Sequence, residues 1–298
     1  MKKVTLAFAN VWTTFEPDHA CQRFPELFQV ADIEVVSDPL RADILFYSCF
    51  EKGHKNMKPS CPIPAGAGPV RLFYTGENVP PNFAECDFAI TFSREVCDSR
   101  HLRLPNSIGA LAVHGGGFDE LEKPRPSLEE ARALLRQKSH FCAYVQGNRV
   151  PFRESFVKAL GRYKHVVCAG PSLNNTGSFA NRAQKYDLFR DSKFAVAFEN
   201  EASLGYTTEK LPDALVSDCV PIYWGDPAAS LDFNEEAYII VRSAKDVEAA
   251  IERVIALDQD DGAYLEVLRA NRFPRGERPR DYQSQSAVDF FRRVVQAA

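Results

Sequence analysis

Much of what narrows the reading of this 298-residue chain is what it lacks. Its eight cysteines are scattered with no C-x-x-C pair, which removes zinc-ribbon and thioredoxin-like motifs and leaves buried free thiols as the reading. No apolar run approaches the ~20 residues of a membrane-spanning helix, so no transmembrane segment is expected. An excess of one charge is missing too: 36 basic against 40 acidic residues give a net charge of −4, so nucleic acid and anionic membrane are not expected as partners. The apolar run after Met1-Lys2-Lys3 is broken at Asn10, too early for a signal-peptide core, and a cytoplasmic location is expected. G-x-G-x-x-G is absent, which leaves dinucleotide binding unsupported. Without G-x-S-x-G, the run His114-Gly115-Gly116-Gly117 is no esterase oxyanion hole but a loop.

What is present alternates. The length suits two domains. Val4 to Ala9, Ile33 to Val36, Asp43 to Tyr47, Val70 to Thr75 and Phe88 to Thr91 read as buried strands of a parallel sheet. Asn10 to Phe15 then forms a loop at a strand end, where Trp12 and Phe15 either join the core or meet a sugar ring. Lys52 to Pro69, rich in Lys, Pro and Gly, reads as a long loop. The strand Phe73-Tyr74 ends in Thr75-Gly76-Glu77, which places a carboxylate at a crevice edge. Pro124 to Pro126 marks a boundary, and Ser127 with Glu130 spells a capping box. The expected division is 1–130, 131–280 and a C-terminal helix, 281–298, crossing back onto the first domain.

The second half repeats the alternation: strand Phe141 to Val145, then a helix with Phe156, Val157 and Leu160 on its apolar face. Arg153 stands in that helix's first turn. An exposed arginine there opposes the helix dipole, so its position invites an anion. The most specific stretch runs from Phe194 to Pro227: a strand, the polar run Glu199-Asn200-Glu201, a loop through Gly205-Tyr206, a helix capped by Thr207 or Thr208, and a strand closed by Gly225-Asp226-Pro227. Glu209 and Lys210 thus open a helix, where backbone N–H groups and an ammonium make an anion site. Ser243 with Asp246 is expected to cap one further helix, and 287–295 to form the last.

Phe198-Glu199-Asn200, Gly205-Tyr206, Thr208-Glu209-Lys210-Leu211 and Val220 to Pro227 together resemble the signature of the α-1,3-fucosyltransferases, glycosyltransferase family ten. Glu201 and Thr207 depart from it, where Ser and an aliphatic residue are usual. The resemblance implies a GT-B architecture, an α/β fold of two Rossmann-like domains facing across a central cleft. It implies inverting transfer of L-fucose from GDP-β-L-fucose to an N-acetylglucosamine-containing glycan, with metal-independent chemistry and no cofactor. It also assigns roles. Glu77 is the matching catalytic base, with Trp12 beside it on the acceptor side. Arg153 and Lys210 serve the pyrophosphate, and Asn200, Tyr206 and Glu209 hold the nucleoside. Another GT-B transferase, or a non-catalytic glycan-binding protein of the same fold, is the alternative.

Overall fold

The computed structural model describes residues 1–11, 17–50, 68–107, 118–279, 282 and 284–298. Trp12, the HGGG run and all of the 52–69 loop up to residue 67 lie outside the described residues. The chain divides into two compact units, 1–113 with 280–298, and 114–279.

In the first unit, β-rich apolar runs become β1 (Lys2–Ala9), β2 (Ala31–Val35), β3 (Ile44–Tyr47), β4 (Val70–Tyr74), β5 (Phe88–Thr91) and β6 (His101–Arg103). They pair in parallel in the order β2-β1-β3-β4-β5-β6. Short helices α1 (Pro17–Arg23) and α2 (Pro25–Val30) follow β1, each started by a proline whose missing N–H costs nothing at that position. One face of the sheet buries Leu6, Phe46, Leu72, Tyr74 and Ile90 with Phe24 and Leu27. The final helix, Ser284–Ala297, adds Phe290 and Phe291 to that same core; Phe291 meets Phe24 at 6.0 Å and Phe290 meets Phe88 edge-on at 5.8 Å. Lys2 Nζ also donates to Val295 O at 3.1 Å. The chain's end is therefore part of the first unit's core.

The second unit opens with α3 (Phe118–Glu122) and α4 (Leu128–Gln137), the latter carrying the expected Ser127/Glu130 capping box in full. Its strands are β7 (His140–Tyr144), β8 (Val166–Cys168), β9 (Ser192–Phe198), β10 (Val220–Trp224) and β11 (Ile239–Ile240), parallel in the order β11-β10-β9-β7-β8. Helices α5 (Pro151–Leu160), α6 (Arg182–Arg190), α7 (Lys210–Val216), α8 (Val247–Gln259) and α9 (Asp261–Arg269) complete it. The first division falls at 113/114, upstream of the proline segment around 124 to 126. Physically, that segment is fastened within its unit: Arg125 bonds Asp218 at 3.1 Å and the Leu268 carbonyl, while Arg272 bonds Asp218 at 3.0 Å and the Glu120 carbonyl. Ser243 caps a 3-10 turn, Ala244–Asp246, rather than α8 itself. Of the cysteines expected to be buried, Cys86, Cys142, Cys168 and Cys219 are, but Cys21 and Cys97 are exposed.

Both sheets reverse their strand order next to the first strand of the unit, between β1 and β3 and between β7 and β9. In doubly wound sheets the loops leaving the carboxyl ends of the two strands at such a reversal part to opposite faces and leave a crevice. In the second unit those loops lead to Arg153, after β7, and to Glu199, after β9. Among the described residues no helix is long and apolar enough to cross a membrane.

Candidate active site

Helix α5 begins with Pro151, so Arg153 is its third residue, and the apolar positions Phe156, Val157 and Leu160 turn this face onto the sheet. Arg153 follows them inward. Contrary to the exposed position expected, its side chain is fully buried, at 0 % relative exposure. Nε donates to the Glu199 carbonyl at 2.8 Å and one Nη to Asn200 Oδ1 at 2.8 Å. The other, Nη1, is buried with no hydrogen-bond partner. Burial pulls the guanidinium pKa down, against the opposing pull of nearby groups that include Glu199, Glu209 and Tyr206. A buried guanidinium hydrogen-bonded to a carbonyl and an amide, with Nη1 left over, is placed to donate a charge-assisted bond to an anion.

Lys210 is the first residue of α7 and is also buried. Its Nζ lies 2.7 Å from Thr208 Oγ1, 3.1 Å from Glu199 Oε2 and 3.5 Å from Glu209 Oε1. Burial alone lowers an ammonium pKa, but the Glu199 and Glu209 carboxylates outweigh it and hold Lys210 above its ordinary value. The expected threonine cap of α7 is not made. Thr208 instead gives both its N–H and its hydroxyl to Glu199, at 2.7 and 2.6 Å, and Glu209 takes the N-cap position of the helix without a side-chain cap bond. A buried carboxylate accepts charge-assisted bonds, roughly twice as strong as the neutral cap bond the threonine would otherwise make, so it takes the threonine.

Burial also raises the Glu209 carboxyl, yet Lys210, Lys185 and Arg182 together hold it well below the usual carboxylate range. The last two come from α6, whose Asn181/Gln184 capping box fixes its start. They converge with Tyr186 on the fully buried Asp213, Arg182 at 2.8 Å, Lys185 at 2.7 Å and the Tyr186 hydroxyl at 2.8 Å. Tyr206 is buried as well, after Gly205, whose φ of +83° only glycine takes at ease.

Five of the expected residues, Arg153, Asn200, Tyr206, Glu209 and Lys210, thus share one end of one sheet. Glu77 belongs to the first unit, exposed just past β4, where its N–H donates to Thr75 Oγ1 at 2.9 Å. Sequence reasoning missed Glu199 and the Asp213 cluster. Glu199 reads as the first polar residue after a strand, and no local pattern discloses that it is 0 % exposed. Among the described residues no group of three or more His, Cys, Asp or Glu is arranged to hold a metal ion. A formal D-x-D does occur, Asp258-Gln259-Asp260 at the end of α8. Asp258 is taken by Lys164, Lys193 and Tyr163, and Asp260 caps α9, so both carboxylates serve the fold.

Two parallel doubly wound units, one with a buried cation site at its strand-order reversal, define the chain as an α/β protein of the GT-B class. Residues 6–108 match the α-(1,3)-fucosyltransferase FucT N-terminal domain, and residues 135–286 match glycosyltransferase family 10 (fucosyltransferase) C-term. The chain belongs to glycosyltransferase family 10. An α-(1,3)-fucosyltransferase FucT of Helicobacter pylori is 31% identical over 225 residues, 67% of this chain and 47% of its own length. A GDP-fucose protein O-fucosyltransferase 3 of Xenopus laevis is 29% identical over 250 residues, 78% of this chain and 51% of its own. The chain spans about half the length of these two relatives. A solved α1,3-fucosyltransferase with GDP superimposes at a TM-score of 0.79, with 26% identity, over 99% of this chain and 91% of that one; the GDP-fucose complex gives 0.77 at the same identity and coverage.

Proposed function

We propose that this chain is an inverting α-1,3-fucosyltransferase that transfers L-fucose from GDP-β-L-fucose to the 3-hydroxyl of N-acetylglucosamine in a glycan such as N-acetyllactosamine, giving a Lewis-x type product. The observation that carries it is Arg153, a fully buried guanidinium with neutral partners and one unpartnered Nη, in the unit that matches the family's fucosyltransferase domain. A pyrophosphate supplies the missing anion. In the reaction the acceptor oxygen forms a bond to the fucose anomeric carbon as the bond from that carbon to the phosphate oxygen breaks. Negative charge gathers on the departing GDP, where Arg153 and Lys210 stabilise it. Lys210 already spends its N–H groups on the protein, and the 3.5 Å contact to Glu209 is the longest, so that is the one a phosphate oxygen replaces. The released Glu209 carboxylate, kept ionised by its cations, accepts from ribose hydroxyls beside Asn200 and Tyr206. Glu77 takes the acceptor proton as general base. With two buried cations at the leaving group, the chemistry is metal-independent.

The relatives named protein O-fucosyltransferases favour a second reading, in which the acceptor hydroxyl belongs to a protein. One experiment separates the readings: the purified chain with GDP-fucose and a panel of N-acetyllactosamine, chitobiose and folded protein acceptors, scored by GDP release and linkage analysis. A 1,3-linked fucose on N-acetylglucosamine is expected. GDP release without any fucosylated acceptor, or none at all, overturns the proposal.

A further inference from the structure

Arg153 and Lys210 reach the site from different elements, α5 and the start of α7, yet both are bonded to one residue. Arg153 Nε takes the main-chain carbonyl of Glu199 at 2.8 Å, and Lys210 Nζ takes its carboxylate at 3.1 Å. That carboxylate is fully buried, and both of its oxygens are already taken by protein donors. It is also locked from the other side. Oε1 accepts the Thr208 N–H at 2.7 Å and Oε2 the Thr208 hydroxyl at 2.6 Å, while the same hydroxyl oxygen lies 2.7 Å from Lys210 Nζ, which closes a three-membered ring of hydrogen bonds. The turn after β10 is shaped around it. A Cβ on Gly225 would overlap Glu199 Cγ and come within 2.6 Å of the Tyr223 hydroxyl. Tyr223 in turn accepts the Asp226 N–H at 3.0 Å and touches Thr207 Oγ1 at 3.4 Å. The glycine of the Trp224-Gly225-Asp226-Pro227 turn is therefore the space that Glu199 fills.

We propose that Glu199 is the positioning residue of the anion site, fixing both cations from beneath so that they present to one pyrophosphate and keeping Lys210 charged before the nucleotide arrives. It rests on the reading of the site as a nucleotide diphosphate site. Two buried cations aimed at one place repel each other in the free protein, and a buried carboxylate between strand and helix offsets that cost without competing for the ligand's surface. The groups facing Lys210 Nζ are Glu199 at the end of β9, Thr208 and Glu209 in its own segment, and Arg153 from α5, which opposes its charge. Glu199 is the nearest carboxylate among them, at 3.1 Å.

The test uses GDP and inorganic pyrophosphate as probes, titrated calorimetrically into the full chain from pH 7 to pH 9. The wild type is expected to keep its affinity over that window. Glu199→Gln keeps the shape but removes the charge, and its affinity is expected to fall relative to wild type with rising pH, approaching roughly tenfold per pH unit once Lys210 titrates. Glu199→Asp keeps the charge but withdraws it by one methylene; its pH profile stays flat while affinity drops at all pH values. A Glu199→Gln profile parallel to wild type, together with wild-type affinity in Glu199→Asp, overturns the proposal. If Glu199→Gln does not fold, Glu199→Asp decides: full affinity counts against positioning and lowered affinity supports it. A wild-type chain that binds pyrophosphate but not GDP sinks the nucleotide reading and leaves the positioning test intact; one that binds neither sinks both.

Discussion

Arg153 concentrates the site's electrostatic demand in a single side chain. Its planar fork meets a carbonyl and an amide oxygen through two separate nitrogens and leaves the third, Nη1, over, a fixed spread of donors that the single nitrogen of an ammonium does not have. Arg153→Lys therefore preserves the charge and loses the geometry. Charge-assisted hydrogen bonds contribute about 1.5 to 3 kcal/mol, so GDP affinity should weaken by roughly ten- to a hundredfold, read by isothermal titration. Affinity unchanged in that variant would mean that the guanidinium is bound for the fold alone. Glu77 predicts the opposite split. If it serves as the general base proposed above, Glu77→Gln should lower turnover by roughly 10² or more with GDP affinity within about twofold of wild type. Steady-state rates beside GDP titrations on the same preparation check both halves.

Elements were legible where pattern alone decides them. The strands β1 to β5, β7, β9 and β10 announce themselves by largely apolar runs, because a parallel sheet buries both faces, and the Ser127/Glu130 box marks α4 to the residue. β6 carries no such sign: His101-Leu102-Arg103 is three residues long, with one apolar position, and becomes a strand by pairing with the edge of β5. That pairing has a consequence for stability. Burial lowers the His101 pKa to about 4, helped by the Arg103 charge and opposed by its bond to the Val96 backbone and by Asp98, and its Nε2 lies 2.8 Å from Thr91 Oγ1. In the unfolded chain the imidazole titrates near 6.5, so the unfolded state binds the proton first as pH falls. The stabilisation is fully present above pH 6.5 and is lost between there and pH 4, at up to about 1.4 kcal/mol per unit. Thermal melts should show the loss in wild type and a shallower one in His101→Gln; equal slopes would remove His101 from the account.

At the scale of the whole molecule the alternation of strands and helices was readable, but the fastening of the segments was not. The proline segment looks like a linker because burial of Arg125 on Asp218 leaves no trace in local sequence, and Glu199 and Arg153 look like surface residues for the same reason. Each unit nevertheless has its own core: one cluster draws on residues between Val4 and Leu102 with the final helix, the other on Ala131 to Leu268. A nucleotide held only by Arg153, Asn200, Tyr206, Glu209 and Lys210 should therefore stabilise the second unit, by about 2.7 kcal/mol at a hundredfold excess over Kd. The buried thiols report this unit by unit. Cys142, Cys168 and Cys219 lie in the second core and Cys86 in the first, and each is buried and free. In dilute denaturant a thiol reagent modifies them only as their unit opens. Where reclosing outpaces labelling, 2.7 kcal/mol corresponds to slowing by roughly a hundredfold. GDP should slow Cys142, Cys168 and Cys219 by that order and leave Cys86 near its ligand-free rate, as peptide mass spectrometry would resolve. Equal slowing of Cys86 would show that the units open together, and no slowing at any of the four would show that GDP is not the anion Arg153 awaits.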